Sequence, residues 1–182
     1  MEIFLIRHTQ PAINKGICYG QTDLDLAESF EKELTAVRKN IPNNINFQSV
    51  YSSPLKRCKK LAIGLFGDGI IEDHRLMELN FGAWEMKAWN KIPQEELNPW
   101  MEDFVHIPCP NGESYHELSN RGIDFLNELN KLSVGPIAII THAGPIRAIH
   151  AHVNNIALKD SFELKVDYGE VIRLQLENMQ SI

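Results

Sequence analysis

Cysteine is scarce, with Cys18, Cys58 and Cys109 the only three in 182 residues. None forms the C-x-x-C pair that would hold zinc or carry dithiol redox chemistry. A disulfide framework is thereby excluded, and a reduced, intracellular setting is expected. Long apolar runs are missing as well: nothing approaches the roughly 18 residues that span a bilayer. Met1-Glu2 leads straight into Ile3-Phe4-Leu5-Ile6 and stops at Arg7, without the basic segment and longer apolar stretch of a signal peptide. The expectation is a soluble, cytoplasmic protein with no membrane partner. Gly (11) and Pro (9) are too few for a low-complexity or disordered chain. Positive charge is also in deficit, since 18 Lys+Arg stand against 24 Asp+Glu for a formal net charge of −6. A broad basic face for nucleic acid is not expected, although a small basic pocket remains compatible with that balance. What is present is an ordinary globular composition, 43% hydrophobic and 23% charged. The length suits one domain over 1–182, large enough to bury about 70% of its unfolded surface.

Ile3-Phe4-Leu5-Ile6 and Ile137-Ala138-Ile139-Ile140 are continuous apolar runs, the pattern of strands buried on both faces of a parallel sheet. Val50-Tyr51 and Ile70-Ile71 are weaker examples. Helical patterns lie between them at about Asp25–Lys39, Pro54–Phe66 and after Ser114, where Ser114 and Glu117 have capping-box spacing. Leu118, Phe125, Leu126, Leu129 and Leu132 follow there on one face. Strands alternating with helices predict an α/β three-layer sandwich, a mostly parallel central sheet with helices on both faces. Phe162–Val166 and Val171–Leu176 alternate like a hairpin or edge strands. The Pro- and aromatic-rich stretch at about 84–112 reads as an irregular helical insertion.

The two most buried-looking strands each end in histidine, at Arg7-His8-Thr9 and at Thr141-His142-Ala143-Gly144-Pro145. In an open parallel sheet the ligand crevice lies outside the carboxyl ends of the strands, so both imidazoles are expected at one edge. Ala143-Gly144-Pro145 opens a helix whose free N–H groups would receive an anion. Ser52-Ser53-Pro54 ends a third strand, with Arg57 in the first turn that follows. Arg7 and Arg57 would fork phosphate oxygens. This set suits phosphoryl transfer with a neutral histidine as nucleophile, because the charge of the transferring group is met by arginines that need no metal. Glu78 is the carboxyl expected to protonate the leaving oxygen and then to activate water.

Arg7-His8-Thr9, Ser52-Ser53-Pro54-Leu55-Lys56-Arg57, Leu76-Met77-Glu78 with Phe81-Gly82-Ala83-Trp84-Glu85, Gly112-Glu113-Ser114 and Thr141-His142-Ala143-Gly144 stand in an informative order and spacing. That order resembles the histidine phosphatase superfamily, the phosphoglycerate-mutase-like enzymes, over nearly the whole chain. The resemblance implies that His8 becomes the phosphohistidine. It also implies that Arg7, Arg57 and His142 complete the phosphate pocket, that Glu78 is the proton donor, and that Asn14, Gln21, Thr22 and Ala143 contact substrate. No cofactor and no metal are implied, and the partner is a small-molecule phosphomonoester. Lys15–Asp23 looks like the segment of alpha-ribazole phosphatases, which act on a 5′-phosphate, on alpha-ribazole or adenosylcobalamin, in cobalamin biosynthesis. Two positions depart from the superfamily pattern. Thr9 stands where most members have Gly, as in the alpha-ribazole branch, and Met86 stands where Gly is usual, where its bulk would reshape the substrate mouth.

Other readings can be weighed on the residues. A cysteine phosphatase needs Arg six positions after its Cys, but those positions hold Leu24, Gly64 and Tyr115. Asp23-Leu24-Asp25 mimics a magnesium-dependent aspartyl motif, yet it follows a polar turn rather than a buried strand. A phosphoglycerate mutase or a broad sugar or nucleotide phosphatase would use the same His8 and Glu78; a mutase needs a closed lid, for which this length leaves less material. A non-catalytic phospholigand module is the reading from a different class, and retention of all five central residues weighs against it. Trp84, Trp89, Trp100 and Phe104 would either stack on a flat base or pack the insertion. His150 and His152, two apart on a helix, point to different sides and do not suit a metal. Lys56, Lys59 and Lys60 read as a solvated helix face, Cys58 and Cys109 as small buried hydrophobes, and Cys18 as a loop residue facing substrate. The oligomeric state is left open, a homodimer being one option.

Overall fold

The computed structural model describes residues 1–132 and 135–176. Strands β1 (Glu2–Arg7), β2 (Ser49–Ser52), β3 (Ile71–Glu72), β4 (Ile137–Thr141) and β5 (Val171–Gln175) form one sheet in the order β3-β2-β4-β1-β5. β1 to β4 run parallel, while β5 closes the edge antiparallel to β1. The two continuous apolar runs are neighbouring central strands, which is why both of their faces are apolar.

Side chains alternate across these strands and divide the core in two. Ile3, Leu5, Ile137 and Ile139 face α4 (Tyr115–Leu132) and α5 (Ala143–Val153), packing on Phe125, Leu126, Leu129, Ile146 and Ile149. Ile6, Ala138 and Ile140 face α1 (Phe30–Asn40) and α2 (Lys56–Phe66), packing on Leu34, Val37, Leu61 and Ala62. At about 1.5–3 kcal/mol for each large aliphatic side chain buried, these two layers dominate the stability of the sandwich. α4 begins as its sequence indicates: Ser114 N donates to Glu117 Oε2 (2.7 Å) while Glu117 N donates to Ser114 Oγ (3.2 Å). The side chain of Leu132, the last of the expected apolar face, lies outside the described residues.

Three expectations are corrected. α1 starts at Phe30, because residues 25–27 pair instead with 10–12: Ala12 N donates to Asp25 O (2.8 Å) and Ala27 N to Gln10 O (3.0 Å). Phe162–Val166 forms no strand with Val171–Leu176, and β5 pairs with β1. The carbonyls of Leu164 and Val166 accept from Arg147 Nε (3.0 Å) and Arg7 Nη1 (2.6 Å), so arginines hold this backbone in place of a ladder. Cys18 is fully buried beside Cys109 in a third cluster, away from solvent. That cluster also holds Trp84, Trp89, Trp100 and Phe104, together with α3 (Gln94–Glu102), so the aromatics of the 84–112 stretch pack on one another.

Among the described residues, no helix is long and apolar enough to cross a membrane. On α5, His150 is half-buried and His152 exposed, as their spacing indicates.

Candidate active site

The register of the central strands sets Arg7 beside Thr141, so His8 and His142 emerge together at the carboxyl edge. The ladder runs one step further, with His8 N donating to Thr141 O at 3.0 Å and Ser53 N to Ile140 O at 2.9 Å. Three strand ends thereby meet. The imidazole rings lie 4.9 Å apart, and both are buried, at 1% and 0% exposure. His8 Nδ1 is 2.7 Å from Thr9 O. A carbonyl can only accept, so Nδ1 carries the proton and Nε2 holds the free lone pair. His142 Nε2 lies 2.8 Å from Ser53 Oγ and 3.4 Å from Cys58 Sγ. Burial pushes the Cys58 thiol up, so it remains a neutral neighbour.

Burial, then Arg57, then Arg7 hold the His8 imidazole well below its ordinary value; burial, Arg57 and His8 do the same to His142. Unfolded histidines titrate at about 6.5, so between the folded and unfolded values the unfolded chain binds more protons. Stability is therefore complete above about pH 6.5 and lost as pH falls below it. Denaturant midpoints measured at pH 7.5 and stepwise below 6.5 should decline; a midpoint flat across that range would contradict the neutral pair.

Arg57, at the start of α2, is fully buried. Its Nη1 donates to Thr22 O (2.9 Å) and its Nη2 to Gly20 O (2.5 Å). Gly20 is required by close approach, since a Cβ there would stand 1.8 Å from Leu79 O. Arg7 is fixed from the other side by Val166 O. Among the described residues, Arg7 Nε, Arg57 Nε and Thr9 Oγ1 are buried polar atoms without a hydrogen-bond partner. Two guanidinium N–H donors and a hydroxyl buried unpaired are costly, and they suit a site that receives an anion.

The N–H at the start of α5 is already engaged. Gly144 N donates to the Glu78 carboxylate (3.2 and 3.3 Å to its two oxygens), and Leu79 N donates to Glu78 Oε1 (3.0 Å). The anion that this helix terminus receives is thus the side chain of Glu78. A Cβ at Gly144 would stand 2.2 Å from Glu78 Oε1 and 3.1 Å from Leu118 Cδ1. Gly144→Ala should therefore push the carboxylate aside and lower kcat by about 10²-fold, the scale of losing one general acid, with KM little changed. Wild-type kcat in this variant would count against Glu78.

Gln21 and Thr22 are tied to Glu85 and Glu78 through both backbone and side chain. Gln21 N (2.8 Å) and Thr22 N (2.6 Å) donate to Glu85, as does Thr22 Oγ1, and Gln21 Nε2 donates to Glu78 O (3.1 Å). Ala143, the first residue of α5, is buried beside His142. Asn14 stands outside this hydrogen-bonded group: it is exposed and lines a cavity of about 450 Å³ with Ala12, Ile13, Ile17 and Met86. Met86 adopts φ 64°, held by its N–H to Cys18 O (2.8 Å), and is 52% exposed at that cavity.

Sequence reasoning missed Glu85 as organiser of the 20–22 turn and Ser53 as partner of His142. It also missed Arg121, whose guanidinium pairs with Glu113 (2.7 Å) and holds Arg75 O, Met77 O and Glu78 O. Glu85 was already part of a quoted motif, but only the fold shows the backbone N–H groups it caps.

The description of the histidine phosphatase superfamily (branch 1) matches residues 3–181. A metal-independent phosphoserine phosphatase of Arabidopsis thaliana is 30% identical, covering 84% of this chain and 68% of its own length. The adenosylcobalamin/alpha-ribazole phosphatase of Escherichia coli strain K12 is 24% identical, over 93% and 87%. Among solved structures, the alpha-ribazole phosphatase from Shigella flexneri superposes with a TM-score of 0.88 over 96% of this chain and 90% of that one. At 23% identity this is a likeness of fold. With the superfamily match spanning nearly every residue, the chain belongs to branch 1 of the histidine phosphatase superfamily.

Proposed function

We propose that the chain is a metal-independent phosphomonoesterase, one domain working through a phosphohistidine on His8. The observation that carries this reading is the tautomer: Thr9 O accepts the Nδ1 proton and leaves Nε2 as a lone-pair nucleophile beside the buried Arg57 and the half-buried Arg7. His8 Nε2 attacks phosphorus, the ester P–O bond breaks, and the leaving oxygen takes a proton from Glu78. Water then attacks the phosphohistidine, giving its proton to Glu78, and the P–N bond breaks to release phosphate. Arg7, Arg57 and His142 hold the equatorial oxygens throughout.

For the substrate we favour alpha-ribazole 5′-phosphate or adenosylcobalamin 5′-phosphate in cobalamin biosynthesis, on the resemblance of Lys15–Asp23. Phosphoserine is a second reading, supported by the 30% identical phosphoserine phosphatase. A panel run in EDTA with alpha-ribazole 5′-phosphate, phosphoserine, phosphoglycerates, sugar phosphates and nucleotides tests both levels. Turnover unaffected by chelator and highest on the ribazole ester is the expected result. Chelator-sensitive turnover would sink the metal-independent mechanism, and a preference for phosphoserine would replace the substrate alone.

A further inference from the structure

We propose that Tyr19 and Tyr168 are substrate-contacting residues, whose phenols, hydrogen-bonded to each other across the phosphate pocket, turn to donate to phosphoryl oxygens when phosphate or a phosphomonoester binds. The ligand's identity rests on the phosphatase reading above. The two residues are 149 apart in sequence and their hydroxyl oxygens are 2.7 Å apart. Tyr168 sits in a backbone segment tied down by His8 and Arg7. Gly169 N donates to His8 O (3.2 Å), while Arg7 N donates to Glu170 O (2.9 Å) and Arg7 Nη1 to Val166 O (2.6 Å). These bonds seat the Tyr168 ring 4.0 Å from the Arg7 guanidinium carbon and 5.6 Å from the His8 ring. Tyr19 arrives from the opposite wall, between Cys18, which is bonded to Met86 and Lys87, and Gly20, whose carbonyl holds Arg57. Its ring lies 5.6 Å from the Arg57 guanidinium carbon. Each tyrosine therefore rests on one of the two arginines, and the phenol bond joins the two halves of the pocket.

The nucleophile is only 1% exposed, whereas Tyr168, in contact with its ring, is 40% exposed. Tyr168 thus reaches solvent directly beside a nucleophile that does not, which puts its phenol on the solvent side of the His8 ring. Each phenol has one proton to donate, and a phenol pair uses only one of the two. A phosphoryl oxygen carries charge and is a stronger acceptor than a phenol, so its arrival exchanges one neutral hydrogen bond for two charge-assisted ones. Burial pushes the Tyr19 phenol upward, with the hydrogen bond to Tyr168 adding to it, which keeps it a protonated donor.

Tyr19→Phe, Tyr168→Phe and the double variant test this in the full-length chain, since each keeps its ring over the arginine and loses only the hydroxyl. Inorganic phosphate binding is measured by calorimetry, and kcat and KM with p-nitrophenyl phosphate. Each single variant should weaken phosphate binding and raise KM about tenfold, the scale of one charge-assisted hydrogen bond, while kcat moves less than about threefold. Phosphate affinity unchanged or improved in the variants would overturn the proposal, as would a loss of kcat at constant KM. Should Tyr168→Phe fail to fold, Tyr19→Phe breaks the same phenol bond and decides alone. A wild-type chain that binds phosphate but hydrolyses no monoester would count against the phosphatase reading only.

Discussion

His8→Ala is expected to abolish turnover, with kcat reduced on the order of 10⁴-fold or more, because it removes the imidazole that accepts the phosphoryl group. The loss should appear in kcat rather than in phosphate binding, since Arg57 keeps its two carbonyl partners and Arg7 its own. The fold should persist. His8 contributes one imidazole at the carboxyl edge, while the apolar layers of Ile3, Leu5, Ile137 and Ile139 lie deeper in the sheet. Steady-state kinetics with a melting curve on the same preparation checks this. An unaffected rate would sink the mechanism outright.

Arg57→Lys carries the second large effect, a loss in kcat/KM of about 10²–10³-fold, the scale of losing one preorganised donor to developing charge. The substitution keeps the charge and removes the fork. Arg57 uses one N–H of Nη1 on Thr22 O and one of Nη2 on Gly20 O, and its buried Nε has no hydrogen-bond partner. A lysine offers one ammonium on a flexible stem and cannot hold both carbonyls while meeting the anion. The Gly20–Thr22 turn would then lose its tie to α2 and be held by Glu85 and by Gln21 Nε2 on Glu78 O. Lys60→Ala, on the exposed face of the same helix, should stay within about twofold and serves as the control. Equal losses in both variants, or none in Arg57→Lys, would contradict the positional argument.

Much of this was legible in the sequence, for reasons that can be named. Ile3–Ile6 and Ile137–Ile140 are apolar on both faces because they are adjacent central strands, and their pairing puts the two histidines side by side. The capping box at Ser114 is purely local, so its reciprocal bonds follow from the spacing of Ser114 and Glu117. What stayed hidden depends on partners distant in the chain. The N–H of Gly144 is taken by Glu78, 66 residues earlier, so the helix terminus orients a carboxyl group that composition would place on the surface. Tyr168 is set beside His8 by backbone bonds to His8 and Arg7 and by arginine side chains on residues 164–166 rather than by a strand ladder. The aromatic stretch could not be assigned from sequence because stacking on a ligand and packing on one another require the same residue types; the fold chose packing. Net charge is sharpened too. Within an acidic chain, the positive charge of the pocket belongs to Arg7 and Arg57, since both imidazoles are held neutral.

The central claim is that the phosphoryl group passes through the free nitrogen of His8. Rapid quench of wild type with a ³²P-labelled monoester in EDTA, followed by acid and alkali treatment and peptide mapping, tests it most directly. The account predicts label on the peptide containing His8, lost in acid and retained in alkali as a P–N bond requires, and absent from His8→Ala. Label that survives acid and is lost in alkali, as an aspartyl phosphate would be, or label mapping away from His8, would contradict it.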